Sequence, residues 1–200
     1  MANRPLILVT NDDGITAPGI KVLVDIARQM GEVVVVAPDS PQSGMGHAVT
    51  ISDPIRLHPA DVFDGIEAYE CSGTPVDCVK LAKHIVLKDR KVDLCVSGIN
   101  HGSNASINII YSGTLSAAME ASLEGIPSIG FSLLDHTYRA DFKPGIPFIS
   151  NLIAFVLKHG MEKGNLLNVN IPVLKNNQDI KGMKICRQAN ARWKEEFVEA

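Results

Sequence analysis

Aromatic residues are scarce in this 200-residue chain: they make up 5% of it, with a single tryptophan and three tyrosines. Hydrophobic residues still account for 46%. A core must therefore be built from aliphatic side chains, as in a compact α/β protein, and the composition excludes a disordered chain. Neither sign of charge is in large excess. Nineteen basic against 22 acidic residues leave a net charge of -3, which offers no electrostatic case for binding a nucleic-acid polymer. No apolar stretch approaches the ~20 residues that a membrane helix needs. The apolar run after Met1–Pro5 is too short for a signal-peptide core. The four cysteines, Cys71, Cys78, Cys95 and Cys186, show no C-x-x-C spacing. Three of them sit in apolar periodic segments, which predicts buried reduced thiols and a cytoplasmic protein.

What the chain does have is concentrated at its start. Leu6–Val9 are four apolar residues in a row, suited to a strand buried on both faces of a parallel sheet. Asn11, Asp12, Asp13 and Gly14 follow without a spacer. Two carboxylates at the end of a buried strand repel each other and lose hydration unless a positive charge sits between them. A divalent cation is the simplest candidate. Taken alone, the same N-D-D-G stretch is equally an Asx-rich turn capping the next helix.

The rest of the pattern alternates strand and helix. Pro18 opens a helix with Ile20, Leu23, Val24 and Ala27 on one face, Gly31 stops it, and Val33–Ala37 form a second buried strand. This strand–helix–strand unit predicts a right-handed parallel crossover. Short strands are expected at His47–Ile51, Ile55–His58 and Ile66–Cys71. A helix follows from Pro75 to about Leu87, capped by Thr74 and burying Val76, Val79, Ile85 and Val86. Val92–Val96 form the next buried strand, and Ser97-Gly98-Ile99-Asn100 leave it. A small-residue helix opens at Gly113-Thr114 and ends at Gly125. Further strands are expected at Pro127–Phe131, Leu167–Ile171 and Met183–Cys186, with a helix over Ile149–Leu157.

Three polar loops leave predicted strands at their carboxyl ends, where ligands bind in open parallel sheets. They are Asn11–Gly14, Asp39–Gly44 and Ser97–Asn104. Their carboxylates, hydroxyls and amides are oxygen donors, which favour Mg²⁺ or Mn²⁺ over zinc. At Ser112-Gly113-Thr114 a helix start offers free backbone N–H groups and a dipole suited to an anion. Thr114 is open to two readings, a helix N-cap or a contact to a bound phosphate; the second predicts that Thr114→Ala spares the metal. A hard cation beside an anion pocket suits phosphoryl hydrolysis by a metal-activated water. His101 is a further catalytic candidate beside the metal loop, whereas His47 and His136 read as ordinary loop histidines. Arg139 and Lys143 read as surface charges.

Several motifs occur in order: T-N-D-D-G at Thr10–Gly14, A-P-G-I at Ala17–Ile20, A-P-D at Ala37–Asp39, S-G at Ser43-Gly44, S-G-I-N-x-G-x-N at Ser97–Asn104, and Y-S-G-T at Tyr111–Thr114. Together they closely resemble the survival protein E (SurE) family of metal-dependent 5'-nucleotidases. The resemblance implies a Rossmann-like α/β fold, a mostly parallel sheet with helices on both faces plus a small β-rich extension. It implies a single domain over residues 1–200, lacking part of the family's C-terminal tail, with Arg192–Phe197 as the start of that part. By the same resemblance Asp12, Asp13, Ser43 and Asn100 match metal ligands, with Asp12 and Asp13 central to catalysis. Asn104, Ser112, Gly113 and Thr114 match positions around the phosphate. The expected substrate is a nucleoside monophosphate, with 3'-nucleotides and polyphosphate as further possibilities, and the expected assembly is a homodimer or homotetramer. Serine at Ser103 replaces the family's frequent proline. Two alternatives stand beside this reading. One is a non-catalytic nucleotide-binding module. The other is a haloacid-dehalogenase-type phosphatase, disfavoured because its nucleophile needs D-x-D spacing rather than adjacent aspartates.

Overall fold

Alternation of buried aliphatic runs with amphipathic stretches yields a layered α/β architecture in the computed structural model, which describes residues 4–137, 139–174 and 179–194. In chain order the elements are β1 (Leu6–Thr10), α1 (Pro18–Ala27), β2 (Glu32–Pro38), β3 (Leu57–Pro59), β4 (Glu67–Cys71), α2 (Pro75–Leu81), β5 (Leu94–His101), α3 (Gly113–Leu123), β6 (Ser128–Leu133), α4 (Ile146–His159) and β7 (Leu166–Ile171). They form one sheet in the order β3-β4-β2-β1-β5-β6-β7. Every pairing is parallel except that of β3 with β4. The parallel α/β class expected from the sequence is what the chain adopts.

Strand periodicity splits the core into two layers. Ile7, Val9, Val33, Val35 and Val96 pack with α1 and α4, whereas Leu6, Leu8, Val34, Val36 and Cys95 pack with α2 and α3. Cys71, Cys78 and Cys95 are buried free thiols, and Cys186 is exposed. The placement of the helices fixes the hand of each crossover. The connections β5–α3–β6 and β6–α4–β7 step in the same direction across the sheet but on opposite faces. They therefore have opposite hands. The β1–α1–β2 and β4–α2–β5 connections share the hand of β5–α3–β6, the right-handed one by the rule for such units, so β6–α4–β7 is the exception.

Four expectations are corrected. His47–Ile51 is not a strand, because the start of α2 rather than another strand takes its backbone groups, and the preceding Gly46 is held from before α3. Gly46 N–H donates to Tyr111 O at 3.2 Å, the Thr74 hydroxyl donates to Ala48 O at 2.7 Å, and Thr50 N–H and hydroxyl both reach the Asp77 carboxylate. Near Ile55–His58 only Leu57–Pro59 is a strand. The helix from Pro75 continues past Leu81 as a π-helical turn over Ala82–Val86. That wider turn shifts the phase of the apolar face, leaving Ile85 63% exposed. Met183–Cys186 form no strand: Met183 and Ile185 stand 60% and 100% exposed, with no neighbouring strand to pair with among the described residues.

Beyond β7, residues 188–193 lie against the 3₁₀ segment Ser106–Tyr111. Gln188 and Ala189 hydrogen-bond Ser106, and Trp193 Nε1 donates to Asn108 Oδ1 at 3.0 Å. Of the Arg192–Phe197 stretch, Glu195–Phe197 lie outside the described residues.

Candidate active site

At the carboxyl end of β1 the chain enters a turn in which Asn11 Nδ2 donates to Gly14 O at 2.8 Å. Gly14 takes a left-handed backbone, φ +95°, that few other residues adopt cheaply. This turn presents Asp12 and Asp13 at the sheet edge, with Asp12 4% exposed and Asp13 half-buried. The loop after β2 is fastened directly to it. Gln42 N–H donates to Asp12 O at 2.7 Å and Ile15 N–H to Pro38 O at 2.8 Å, so the exposed Ser43 follows the residue bonded to Asp12.

On the other side of β1, strand β5 runs further than the apolar pattern indicates. It continues to His101 through a register shift between Ser97 and Asn100. Gly98 makes this possible: φ is +126°, and a Cβ there would lie 2.3 Å from Phe131 O. The irregularity re-aims the strand end. Asn100 is half-buried and its Nδ2 donates to Gly102 O at 3.0 Å, while His101 N–H reaches Asp13 Oδ2 at 3.4 Å. The His101 ring packs edge-on against Phe142, 5.1 Å between centroids, and its buried Nε2 has no hydrogen-bond partner among the described residues.

The N-terminus of α3 closes the third side. Its N-cap is Ser112, whose Oγ accepts from Leu115 N–H at 3.0 Å. Thr114 is therefore not the cap. Its hydroxyl donates instead to Asp12 Oδ1. Glycine at 113 is required by this close approach, since a Cβ there would sit 2.7 Å from the Asp12 Cβ. The Asp12 carboxylate itself thus faces the positive end of α3, which the sequence had suggested was reserved for a bound anion. Thr114→Ala would therefore remove a contact to Asp12, one of the ligands that the family resemblance implies.

Burial raises the Asp12 pKa to about 6, against the stabilising pull of Thr114 and reinforced by repulsion from Asp13. Burial also raises Asp13, while His101 pulls it down. Two carboxyls pushed toward their neutral forms at one edge are short of positive charge. Asn11 Oδ1 is buried beside them without a partner among the described residues. Among the described residues no group of three or more histidine, cysteine, aspartate or glutamate side chains is placed to hold a metal ion. The donor set is two carboxylates with neutral amide and hydroxyl oxygens, which fits a hard divalent cation.

Asn104 is held from β6 and β7, by partners that its sequence surroundings do not indicate. Its Nδ2 donates to Ser132 Oγ at 2.8 Å. Asn170 Oδ1 accepts from its N–H at 3.0 Å, Asn168 Nδ2 donates to its carbonyl at 2.9 Å, and Asn170 Nδ2 donates to Asn168 Oδ1 at 2.9 Å. Two asparagines on one face of β7 therefore replace a strand for this loop. The only cue in the sequence was N-x-N inside a run otherwise apolar. His136 lies against Gly102, and Arg139 and Lys143 lie beyond β6 in the segment before α4.

The Survival protein SurE family model matches residues 7–195. A protein named 5'-nucleotidase SurE from Cytophaga hutchinsonii is 61% identical over 197 residues, covering 98% of this chain and 76% of that one. A relative of the same name from Christiangramia forsetii is 62% identical over 196 residues, 97% of this chain and 75% of its own. Among solved structures, the SurE protein of Aquifex aeolicus superposes with a TM-score of 0.82 at 40% identity, over 93% of this chain and 73% of that one. A family pattern running through all three site loops, at these identities over nearly the whole length, places the chain in the SurE family.

Proposed function

We infer that the chain is a 5'-nucleotidase that releases phosphate from nucleoside monophosphates with the help of a divalent cation. The observation that carries this reading is the contact between Asp12 and Thr114, which joins a buried carboxylate pair to the N-terminus of α3. Relatives named 5'-nucleotidase SurE support the activity. Asp12, Asp13, Ser43 and Asn100 would hold the cation. When bound, it neutralises phosphate charge and lowers the pKa of a water molecule that can attack phosphorus.

The remaining work falls to the protein. The Ser112-Gly113-Thr114 turn sets the first backbone N–H groups of α3 beside Asp12, where they would also face phosphoryl oxygens brought to the cation, and Gly113 lets Asp12 lie against the helix start. Asn104, held by Ser132, Asn168 and Asn170, would offer its side-chain amide to the substrate phosphate. Pre-set donors of this kind stabilise developing charge without reorganising. We read residues 1–200 as one functional unit, cytoplasmic, using Mg²⁺ or Mn²⁺ and assembling as a homodimer or homotetramer. Among the described residues no helix is long and apolar enough to cross a membrane.

Phosphate release from a panel of 5'- and 3'-nucleotides and polyphosphate, with Mn²⁺ or with EDTA, tests the reading. Metal-dependent release from 5'-monophosphates is expected. Nucleotide binding without release would make the chain a sensing module, and trapping of a phospho-aspartyl enzyme would assign a covalent route.

A further inference from the structure

Helix α3 is built from small and apolar residues with one buried exception. Glu120 has a side chain only 6% exposed, although a carboxylate costs free energy in such a place unless it is paired. It is paired twice. Oε1 lies 2.6 Å from Lys80 Nζ on α2, and Oε2 lies 2.9 Å from His47 Nε2. The Lys80 contact ties two adjacent helices, for which an aliphatic pair would serve as well. The His47 contact is different, because His47 belongs to the loop that carries Ser43.

Around His47 that loop is attached on both sides. Before it, Gln42 N–H holds Asp12 O and Gly46 N–H holds Tyr111 O; after it, Ala48 and Thr50 are bound by Thr74 and Asp77 at the start of α2. All but one of these attachments use a backbone group of the loop, and Thr50 adds its hydroxyl to its own N–H. His47 alone reaches by its side chain into the middle of α3, two turns below the Ser112-Gly113-Thr114 end that touches Asp12.

We propose that Glu120 is a positioning residue which, through His47, sets the Ser43 loop against α3 and so holds Ser43 at the cation-binding edge. The proposal rests on the reading of Ser43 as a metal ligand. Groups that support ligands from behind tune metal affinity without touching the metal.

The test is Mn²⁺ binding to the full chain in the absence of substrate, by electron paramagnetic resonance of the free ion, with Tm measured in parallel. His47→Ala is expected to raise the Mn²⁺ Kd about ten-fold, toward that of Ser43→Ala, with little change in Tm. Glu120→Gln keeps an acceptor for His47 and should fall between His47→Ala and the unchanged protein. Lys80→Gln removes the helix–helix tie alone and should lower Tm while leaving the Mn²⁺ Kd unchanged. If Ser43→Ala weakens Mn²⁺ binding and His47→Ala does not, the inference is overturned while the ligand assignment stands. If Ser43→Ala itself binds Mn²⁺ normally, the ligand assignment fails and the inference fails with it.

Discussion

Asp12 answers to two demands at once, burial in the sheet edge and charge at the start of α3. An unfolded chain gives up its proton at the ordinary 3.8, whereas the folded chain holds it to about 6. Between those values the folded state binds more protons, so stability of the metal-free protein falls as pH rises through that window. Asp12→Asn should therefore raise Tm of the metal-free protein at neutral pH, by a stability gain on the order of 1–3 kcal/mol, while abolishing most phosphate release. Thermal melts in EDTA beside activity assays in Mn²⁺ check both halves, and a variant fully active with Mn²⁺ would remove Asp12 from the site. Thr114 gives a graded case. Thr114→Ser keeps the hydroxyl on Asp12 and should retain activity. Thr114→Ala should lose about ten-fold in kcat/KM, the scale of one hydrogen bond to a charged oxygen, and should also shift the Mn²⁺ dependence. Gly113→Val should damage both metal and phosphate binding, because its Cβ would press on Asp12.

At the scale of elements, α3 links the site to the helical layer. Burial pushes the Glu120 carboxyl up, but the Lys80 ammonium and His47 more than offset this and hold it below the ordinary 4.5. The Lys80 ammonium is raised in return by the same carboxylate, with Glu124 and Asp77 adding to the effect. The Glu120 contribution is present above the ordinary carboxylate range and is lost as pH falls through its lower folded value. The Lys80 contribution is present below 10.5 and is lost as pH rises past its higher folded value. Glu120→Gln should consequently flatten the acid limb of the stability profile, measured by urea denaturation between about pH 3 and pH 7. The β7 asparagines offer a second element-level test. Asn170→Ala frees the Asn104 backbone and should raise KM and weaken inhibition by inorganic phosphate several-fold, whereas Asn170→Asp preserves the acceptor for Asn104 N–H. Equal phosphate inhibition in both variants would separate Asn104 from the phosphate.

For the molecule as a whole, the reversed crossover puts α4 beside α1 and leaves the α3 face of β7 free for the Asn104 loop. Residues 188–193 then lie on Ser106–Tyr111, with the Trp193 and Tyr111 rings 5.5 Å apart. Ile185 stands 100% exposed, Met183 and Trp193 60% each. Apolar side chains presented to water in one segment favour self-association. Sedimentation velocity at micromolar concentrations should show a dimer or larger species, and a monomer throughout would contradict the assembly proposed here.

Much of this protein was legible in the sequence, because the signals concerned are local. Buried aliphatic runs marked β1, β2 and β5, proline marked the start of α1, and Thr74 with Asp77 marked the capped start of α2. The positions of the three polar loops after β1, β2 and β5 followed from the same local signals. What the sequence could not determine depends on partners distant along the chain. The continuation of β5 to His101 depends on Gly98 passing Phe131, and the loop state of His47–Ile51 depends on Asp77 and Tyr111. Pattern fixes which face of an element is apolar, but not which layer receives it, so the hand of β6–α4–β7 was decided only by packing. The meeting of Asp12 with Thr114, 102 residues apart, belongs to the same class: the sequence determined both side chains, and the tertiary structure alone decided that one would answer the other.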